Sequence, residues 1–174
     1  MARNIEIKAR VADMPALAAR AAAIADSGPF EIPQDDTFFG CENGRLKLRV
    51  YADGRGELIF YRRPDADGPK VSFYVLSPTE SPDTLREALA LANGQEGRVV
   101  KHRTVFMVGR TRVHLDRVQG LGDYMELEVV LADDESPDDG VREAHALMAR
   151  LGIAADSLVT GAYHDLLRAR KATA

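Results

Sequence analysis

Charged and apolar side chains alternate along several short segments of this 174-residue sequence. The first segment, "NIEIKAR", places Glu6 and Lys8 on one face of a predicted strand and Ile5 and Ile7 on the other. A set of cations on one face of several strands is suited to bind an anionic ligand. The same alternation in later segments collects such cations, which are Lys47, Arg49, Arg63, Lys70, Lys101, Arg103 and Arg112.

Two carboxylates on one predicted strand refine this hypothesis. Glu126 and Glu128 are two residues apart in "DYMELEVVL", so both point to the same side with Cβ atoms about 7 Å apart. Converging carboxylates repel each other unless a divalent cation lies between them, and oxygen ligands favour Mg²⁺ or Mn²⁺. Cations that bind phosphates beside metal-binding carboxylates are the usual arrangement for phosphoryl and nucleotidyl transfer. The sequence has no GxxxxGK[ST] loop, so the chemistry of P-loop enzymes is excluded.

A solvent-exposed polar face is the ordinary explanation of alternation in any single strand. Here, however, the cations collect on strands while much of the acid lies in loops and helix starts, in a chain of net charge −4. This separation favours a concave binding site. Three further side chains receive the plainer interpretation: His114 as an exposed residue of its strand, and Tyr61 and Tyr163 as packing residues.

Composition excludes several classes of protein. The mild acidity argues against a general nucleic-acid binder. The single cysteine, Cys41, precludes an internal disulfide, and the four histidines lack the spacing of a zinc site. No segment resembles a signal peptide or reaches the roughly 18 apolar residues of a membrane span. We therefore expect a cytoplasmic protein with neither nucleic acid nor a membrane as partner.

Turn and capping signals divide the chain into about eight strands and three or four helices. Helices are predicted from Asp13 to a stop at Gly28, from Ser81 to Gly94, from Ser136 to Gly152 and over "GAYHDLLRAR". Hairpin signals join most neighbouring strands, which predicts an antiparallel sheet or barrel with helices packed outside, an α+β fold. The predicted strands are "NIEIKAR", "DDTFFG", "RLKLRVY", "GELIFYRR", "KVSFYVL", "RVVKHRTVFMVG", "TRVHLDRV" and "DYMELEVVL", and "PDADGP" is a predicted loop.

Taken in order, these segments resemble the CYTH superfamily, or triphosphate tunnel metalloenzymes, and most closely its branch related to class IV adenylyl cyclases. The resemblance extends over the whole chain, which implies one domain over residues 1–174 and an eight-stranded antiparallel β-barrel that forms a tunnel. It rests on "NIEIKARV", "QDDTFF", "RLKLRV", "LIFYRRPDADGPKVSFY", "VVKHRTVF", "HLDRVQGLGDYMELEVV" and "GAYHDLL".

The resemblance also implies roles for individual residues. Asp116 would be a further metal ligand or would orient neighbouring Lys and Arg side chains, and Asp36, in a segment near the tunnel mouth, receives no role. The metal ligands would be Glu6, Glu126 and Glu128. The triphosphate ligands would be Lys8, Lys47, Arg49, Arg63, Lys70, Lys101, Arg103 and Arg112, of which Lys8, Arg49, Lys101 and Arg103 are also the candidate catalytic residues.

The first motif departs from the family signature E-x-E-x-K, because Asn4 occupies the position of the first Glu. A neutral carbonyl oxygen attracts Mg²⁺ less than a carboxylate does. The favoured activity is that of class IV adenylyl cyclases, the conversion of ATP to cyclic AMP and pyrophosphate with Mg²⁺ or Mn²⁺. A triphosphatase acting on inorganic, thiamine or nucleoside triphosphate is the first alternative, and a triphosphate-binding module with weak catalysis is the second. The resemblance also suggests a homodimer.

Overall fold

Eight antiparallel strands form the centre of the computed structural model, which describes residues 2–64 and 68–172. The strands are β1 (Ala2–Arg10), β2 (Ser27–Phe39), β3 (Arg45–Tyr51), β4 (Gly56–Arg62), β5 (Lys70–Thr79), β6 (Gln95–Val108), β7 (Thr111–Val118) and β8 (Gly122–Val130). They close into a barrel in the order β1-β5-β4-β3-β2-β6-β7-β8. The predicted α+β fold with an eight-stranded antiparallel barrel is confirmed.

The first three helices begin directly after the predicted N-cap residues Asp13, Ser81 and Ser136. The helices are α1 (Met14–Ile24), α2 (Pro82–Asn93), α3 (Pro137–Leu151) and α4 (Tyr163–Ala172), with a short 3₁₀ turn at Ala155–Ser157. The Asp13 side chain accepts a hydrogen bond from the Ala16 backbone N–H at 2.9 Å, as expected of an N-cap. Gly152 ends α3 with φ of 68°, a left-handed conformation that glycine adopts readily. No helix within the described ranges combines the length and apolar composition that a membrane crossing requires.

Two predicted boundaries between α1 and β2 are wrong. Helix α1 ends at Ile24 rather than near Gly28, and Gly28 lies inside a strand of 13 residues that begins at Ser27. This part of the strand was not predicted because it contains Pro29 and Pro33, and proline is rare in strands. The first half of the strand pairs with β6 alone, since pairing with β3 begins only at Gln34, and a strand with one free edge tolerates proline. The predicted loop at residues 64–69 lies partly outside the described residues, which omit 65–67.

The main apolar core lies outside the barrel, between its wall and helices α1 and α3. Ile5 and Ile7 of β1 are fully buried there with Leu17 of α1 and Leu151 of α3. Because strand side chains alternate, this outward apolar face leaves the alternate residues of β1 to point into the barrel. Those residues are the polar ones, so the barrel interior is a polar tunnel.

The start of α4 closes one end of the tunnel. The His164 ring stacks on Phe38 of β2 with centroids 5.0 Å apart, and the Tyr163 ring meets Tyr124 of β8 edge to face at 5.2 Å. Both α4 residues are buried. Helix α4 therefore docks against the barrel, and the end that it covers is called the closed end below.

We expect Gly97→Ala to loosen this closed end. A Cβ at position 97 would lie 2.6 Å from the His164 ring, so the ring and the start of α4 would have to shift. Such overpacking should lower the free energy of unfolding by about 1–3 kcal/mol in urea denaturation. Val100→Thr, on the exposed outer face of the same strand, should change it by less than about 0.5 kcal/mol. An unchanged stability of Gly97→Ala would contradict this account of α4 docking.

Candidate active site in the barrel tunnel

All eight strands contribute to a tunnel cavity of about 330 Å³, which is large enough for a small ligand. Among the described residues, the side chains that line it include seven Lys and Arg and five Asp and Glu. With all of these groups ionised, the excess of two positive charges is opposite to the charge of −2 on a nucleoside triphosphate carrying one divalent ion. The strand faces that the sequence predicts to be cationic therefore do meet around one cavity.

Lysine and arginine side chains gather at the closed end. Lys8 Nζ and Arg63 Nη2 donate to the Gly161 carbonyl at 3.0 and 2.7 Å. The ammonium groups of Lys8 and Lys101 lie 4.1 and 4.8 Å from the centre of the Tyr163 ring. A backbone carbonyl and an aromatic face thus stabilise these cations in addition to their carboxylate partners, which are Glu126 for Lys8, Glu6 for Arg63 and Asp116 for Lys101.

Asp36 holds two of the predicted phosphate ligands. Arg49 donates to both of its carboxylate oxygens at 2.7 Å, and Lys47 Nζ lies 2.7 Å from Oδ2. Burial opposes ionisation of Asp36, but the charges of Arg49 and Lys47 outweigh it and hold the pKa of the carboxyl well below its usual range. Asp36 is 2% exposed, so its expected place near the tunnel mouth is corrected to the buried wall.

Asp116 anchors a second pair of cations. Arg103 Nε and Nη2 donate to its two oxygens at 2.7 and 2.6 Å, Lys101 Nζ lies at 3.2 Å, and the Tyr163 hydroxyl donates at 2.9 Å. Asp116 has no exposed surface. Of the two roles left open by the sequence, these contacts favour the orientation of Lys and Arg over metal ligation.

Burial and the neighbouring Arg103 charge lower the pKa of Lys101 to about 7. Burial also opposes ionisation of Asp116, but Arg103 and Lys101 outweigh it and keep the pKa of that carboxyl well below its usual range. Asp116 is therefore a carboxylate at neutral pH, whereas Lys101 is only partly protonated there. An anion bound beside Lys101 would favour its charged form.

Glu126 and Glu128 do point into the tunnel together, as predicted, but cations of the chain compensate their charge. Glu126 contacts Lys8 Nζ at 3.2 Å and Arg103 Nη2 at 2.5 Å, and Glu128 contacts Arg112 at 2.9 Å. Lys8 and Arg103 outweigh the effect of burial and lower the pKa of Glu126, and His114 and Arg112 do the same for the pKa of Glu128. The repulsion that suggested a metal is thus already reduced by the neighbouring cations.

His114 lies beside the two glutamates and is buried, with 4% of its surface exposed. The expectation that it decorates an exposed strand face is wrong, because both faces of β7 are covered. Its Nδ1 is 3.8 Å from an oxygen of Glu126 and of Glu128, and one ligand atom from each of the three residues lies within 4.8 Å of the others. Burial and the Arg103 charge lower the pKa of His114, so the neutral ring predominates near pH 7. These three residues, called the His–Glu–Glu group, could hold a metal ion.

The remaining predicted residues occupy β1 and β5. Glu6 forms an ion pair with Arg63 and is opposite Lys70 in the strand register. Lys70 is buried. Asn4 is also buried, and its Oδ1 has no hydrogen-bond partner among residues 2–64 and 68–172.

Asp36, His114 and Tyr163 are the functional candidates that sequence reasoning undervalued. The alternation that placed Lys47 and Lys101 in the tunnel also applies to Asp36 and His114, so the sequence could have predicted that these two side chains face the tunnel. It could not have predicted their contacts, because the contacting residues lie on other strands. Tyr163 was interpreted as a packing residue, because only the docking of α4 brings it to the tunnel.

The sequence matches the CYTH domain over residues 2–163, so the chain belongs to the CYTH domain family. The adenylate cyclase CyaB of Aeromonas hydrophila is 25% identical over 171 residues, which cover 94% of this chain and 87% of that protein. Two solved structures share the fold. The PH1012 protein of Pyrococcus horikoshii has a TM-score of 0.84 at 20% identity, covering 94% of this chain and 99% of its own. HpAC1 of Hippeastrum, described as an adenylyl cyclase candidate with a dominant triphosphatase activity, has a TM-score of 0.65 at 18% identity, covering 96% of each chain.

We expect Asp116→Asn to destabilise the protein by about 3 kcal/mol at pH 7, because it leaves Arg103 and Lys101 buried beside a neutral group. The folded-state pKa of Asp116 is depressed, so its contribution is complete above the unfolded value of about 4 and decreases as the pH falls below it. Urea denaturation of parent and variant should therefore differ most at pH 7 and least below pH 4. Asp83→Asn, which removes an exposed partner of Arg86, serves as the control and should change stability far less. Equal effects of the two substitutions would contradict the anchoring role of Asp116.

Proposed function

We propose that this CYTH domain acts as one catalytic unit that binds a triphosphate and a divalent cation in its tunnel. The observation that carries the proposal is the position of the His–Glu–Glu group directly beside the cations of the closed end. Phosphates and a divalent ion bind well where cationic side chains and oxygen ligands adjoin. The proposed triphosphate ligands are Lys8, Lys47, Arg49, Arg63, Lys70, Lys101, Arg103 and Arg112, and the proposed metal ligands are Glu126, Glu128 and, across the β1–β8 register, Glu6.

The strand register supports an orientation for the substrate. On β7 and β8, Asp116 and Tyr124 contact Tyr163 at the closed end. His114 and Glu126 lie two residues farther along their strands, or roughly 7 Å. The terminal phosphate carries the most charge, so it should enter first and lie among the closed-end cations. The phosphate next to the nucleoside would then lie nearer the His–Glu–Glu group.

Part of the cavity lining suits a nucleoside. Ile32, Leu76, Val105 and Tyr74 line the cavity together with its charged residues. Apolar and aromatic side chains can contact a base and a sugar, whereas an inorganic triphosphate would leave them unused. These side chains favour a nucleoside triphosphate over the inorganic alternative.

The proposed reaction is cleavage of ATP at the α-phosphorus. The ribose 3′-oxygen bonds to that phosphorus, the bond to the bridging oxygen of the β-phosphate breaks, and cyclic AMP, pyrophosphate and a proton result. The lysines and arginines hold the triphosphate in line and stabilise the charge that develops on pyrophosphate. A bound Mg²⁺ or Mn²⁺ would neutralise further charge on the phosphate oxygens. The similarity to the adenylate cyclase CyaB supports this reaction.

A triphosphatase is the second candidate, and one observation favours it. HpAC1, which shares the fold, is described as having a dominant triphosphatase activity. The same tunnel would serve hydrolysis if a water molecule, rather than the ribose hydroxyl, were positioned at the terminal phosphorus. Binding without turnover is the third candidate, and the neutral side chain of Asn4 favours it.

One assay separates these candidates. The protein is incubated with ATP or inorganic tripolyphosphate and Mg²⁺ or Mn²⁺, and the products are separated by chromatography. Cyclic AMP with pyrophosphate is the expected result. Orthophosphate would support the triphosphatase, and binding of ATP without turnover would support the binding module.

We expect Arg49→Ala to lower kcat/KM for ATP at least about 100-fold, since it removes a charge-assisted contact to phosphate and leaves Asp36 buried without its bidentate partner. Arg117→Ala, on the exposed outer side of β7, is the matched control and should change kcat/KM less than about twofold. Retention of both binding and turnover in Arg49→Ala would refute the tunnel as the active site. Circular dichroism of the two variants checks that each is folded.

The lowered pKa of Lys101 leads to a separate expectation. In the free protein Lys101 is mostly neutral at pH 8, above its pKa of about 7. A bound triphosphate favours the charged form and raises that pKa, so binding at pH 8 should take up a proton. Isothermal titration calorimetry of ATP binding without turnover, with Ca²⁺ and in buffers of different ionisation enthalpy, measures this uptake.

Lys101→Arg is the control for the proton uptake, because a guanidinium stays protonated at this pH whether or not ligand is bound. The variant should take up less of a proton than the parent protein under the same conditions. Equal proton uptake by the two proteins would show that Lys101 is not the group that titrates.

A further inference from the structure

His114 is a buried imidazole in a tunnel where the carboxylates have cationic partners. Its Nδ1 has no hydrogen-bond partner among the described residues and is inaccessible to solvent. A buried nitrogen without a partner carries an energetic cost, and such groups often point toward a missing ligand. Packing alone therefore does not explain why the Nδ1 atom of His114 is buried without a hydrogen-bond partner.

The distances around Nδ1 fit a shared ion. Its separation of 3.8 Å from an oxygen of Glu126 and an oxygen of Glu128 is too long for a hydrogen bond. Two ligand atoms at about 2.1 Å from one ion and 3.8 Å from each other subtend an angle of about 130° at that ion. Small adjustments of the side chains would bring this angle into the range of ordinary coordination.

The strand register makes this arrangement rigid. His114 of β7 is directly opposite Glu126 of β8, and Glu128 is the next residue on the same face. Neighbouring strands hold opposite Cβ atoms about 5 Å apart, so the imidazole is fixed beside the carboxylates by the sheet itself. Ligands on strands are positioned more firmly than ligands on loops.

Glu126 can also turn toward an ion while each of its two cationic partners keeps another hydrogen-bond acceptor. Arg103 donates to Glu126 at 2.5 Å, but it makes two further bonds to Asp116 at 2.6 and 2.7 Å. If Glu126 turned toward a metal, Arg103 would keep the Asp116 contacts. Lys8, the other partner of Glu126, would keep its bond to the Gly161 carbonyl.

We propose that His114 Nδ1 is a direct ligand of the divalent cation and makes the tunnel prefer Mn²⁺ to Mg²⁺. Mg²⁺ takes oxygen ligands almost exclusively, whereas Mn²⁺ accepts carboxylates and phosphates as Mg²⁺ does and binds imidazole better. A site of two carboxylates and one imidazole therefore discriminates between the two ions. This inference rests on the proposed function for the presence of a divalent ion and adds the identity of the ion and a ligand.

The test measures metal binding rather than activity. Mn²⁺ is titrated into the metal-free protein, and free Mn²⁺ is followed by electron paramagnetic resonance with and without a tenfold excess of Mg²⁺. The expected result is one bound Mn²⁺ that Mg²⁺ does not displace. Electron spin echo envelope modulation of the bound Mn²⁺ in the parent protein should show coupling to a directly bound ¹⁴N, a measurement that needs no variant.

His114→Ala should weaken Mn²⁺ binding at least about tenfold and change Mg²⁺ binding less than about twofold. His102→Ala is the matched control, because His102 also pairs with a carboxylate, Glu31, but does so on the exposed outer face. It should alter neither metal affinity. Absence of Mn²⁺ binding, absence of ¹⁴N coupling, or an equal loss of Mn²⁺ and Mg²⁺ affinity in His114→Ala would overturn the inference.

The outcomes also separate this inference from the proposed function. Nitrogen-coupled Mn²⁺ in a protein that turns over neither ATP nor tripolyphosphate would keep the metal ligand and reject the enzyme. Turnover supported equally by Mg²⁺ and unaffected by His114→Ala would keep the enzyme and reject the ligand.

Discussion

Charge pairing inside a closed barrel is the interaction on which the rest of this structure depends. A buried cation or carboxylate is costly unless an opposite charge or a hydrogen-bonding group lies beside it. The tunnel meets this requirement with carboxylates that each serve more than one cation: Asp36 binds Lys47 and Arg49, and Asp116 binds Lys101 and Arg103. The cations can therefore be concentrated to a density that an isolated sheet face would not support.

This pairing also explains why the apolar core lies outside the barrel. A wall whose inner face is charged must bury its outer face against something else, and helices α1 and α3 provide that cover over Ile5 and Ile7. Helix α4 has a different role, since Tyr163 reaches the tunnel and donates to Asp116. Helices α1 and α3 therefore stabilise the barrel wall, whereas α4 completes the lining of the tunnel.

Alternation along single strands was enough to predict the strands and their cationic face, because both depend on the period of two, whereas the closed eight-stranded barrel was implied by the resemblance to the CYTH superfamily. Alternation was insufficient wherever a residue's environment depends on a distant segment. His114 was taken as exposed because β7 alone does not reveal what lies across the tunnel, and Asp36 was undervalued because Arg49 reaches it from β3. The long β2 was missed at its prolines, since tolerance of proline depends on which edge of the strand is paired.

Asn4 affects the two proposed ligands in opposite ways. A glutamate there, as in the family signature, would add one carboxylate to the five that line the cavity and reduce its excess of two positive charges to one. The neutral amide therefore strengthens the attraction for a triphosphate while it removes an oxygen charge that would attract a metal. Loss of that charge would place more of the proposed metal binding on β7 and β8, where His114, Glu126 and Glu128 converge. Asn4 and His114 therefore bear on the same question, which is how a tunnel with one carboxylate fewer than the family signature would retain a divalent ion.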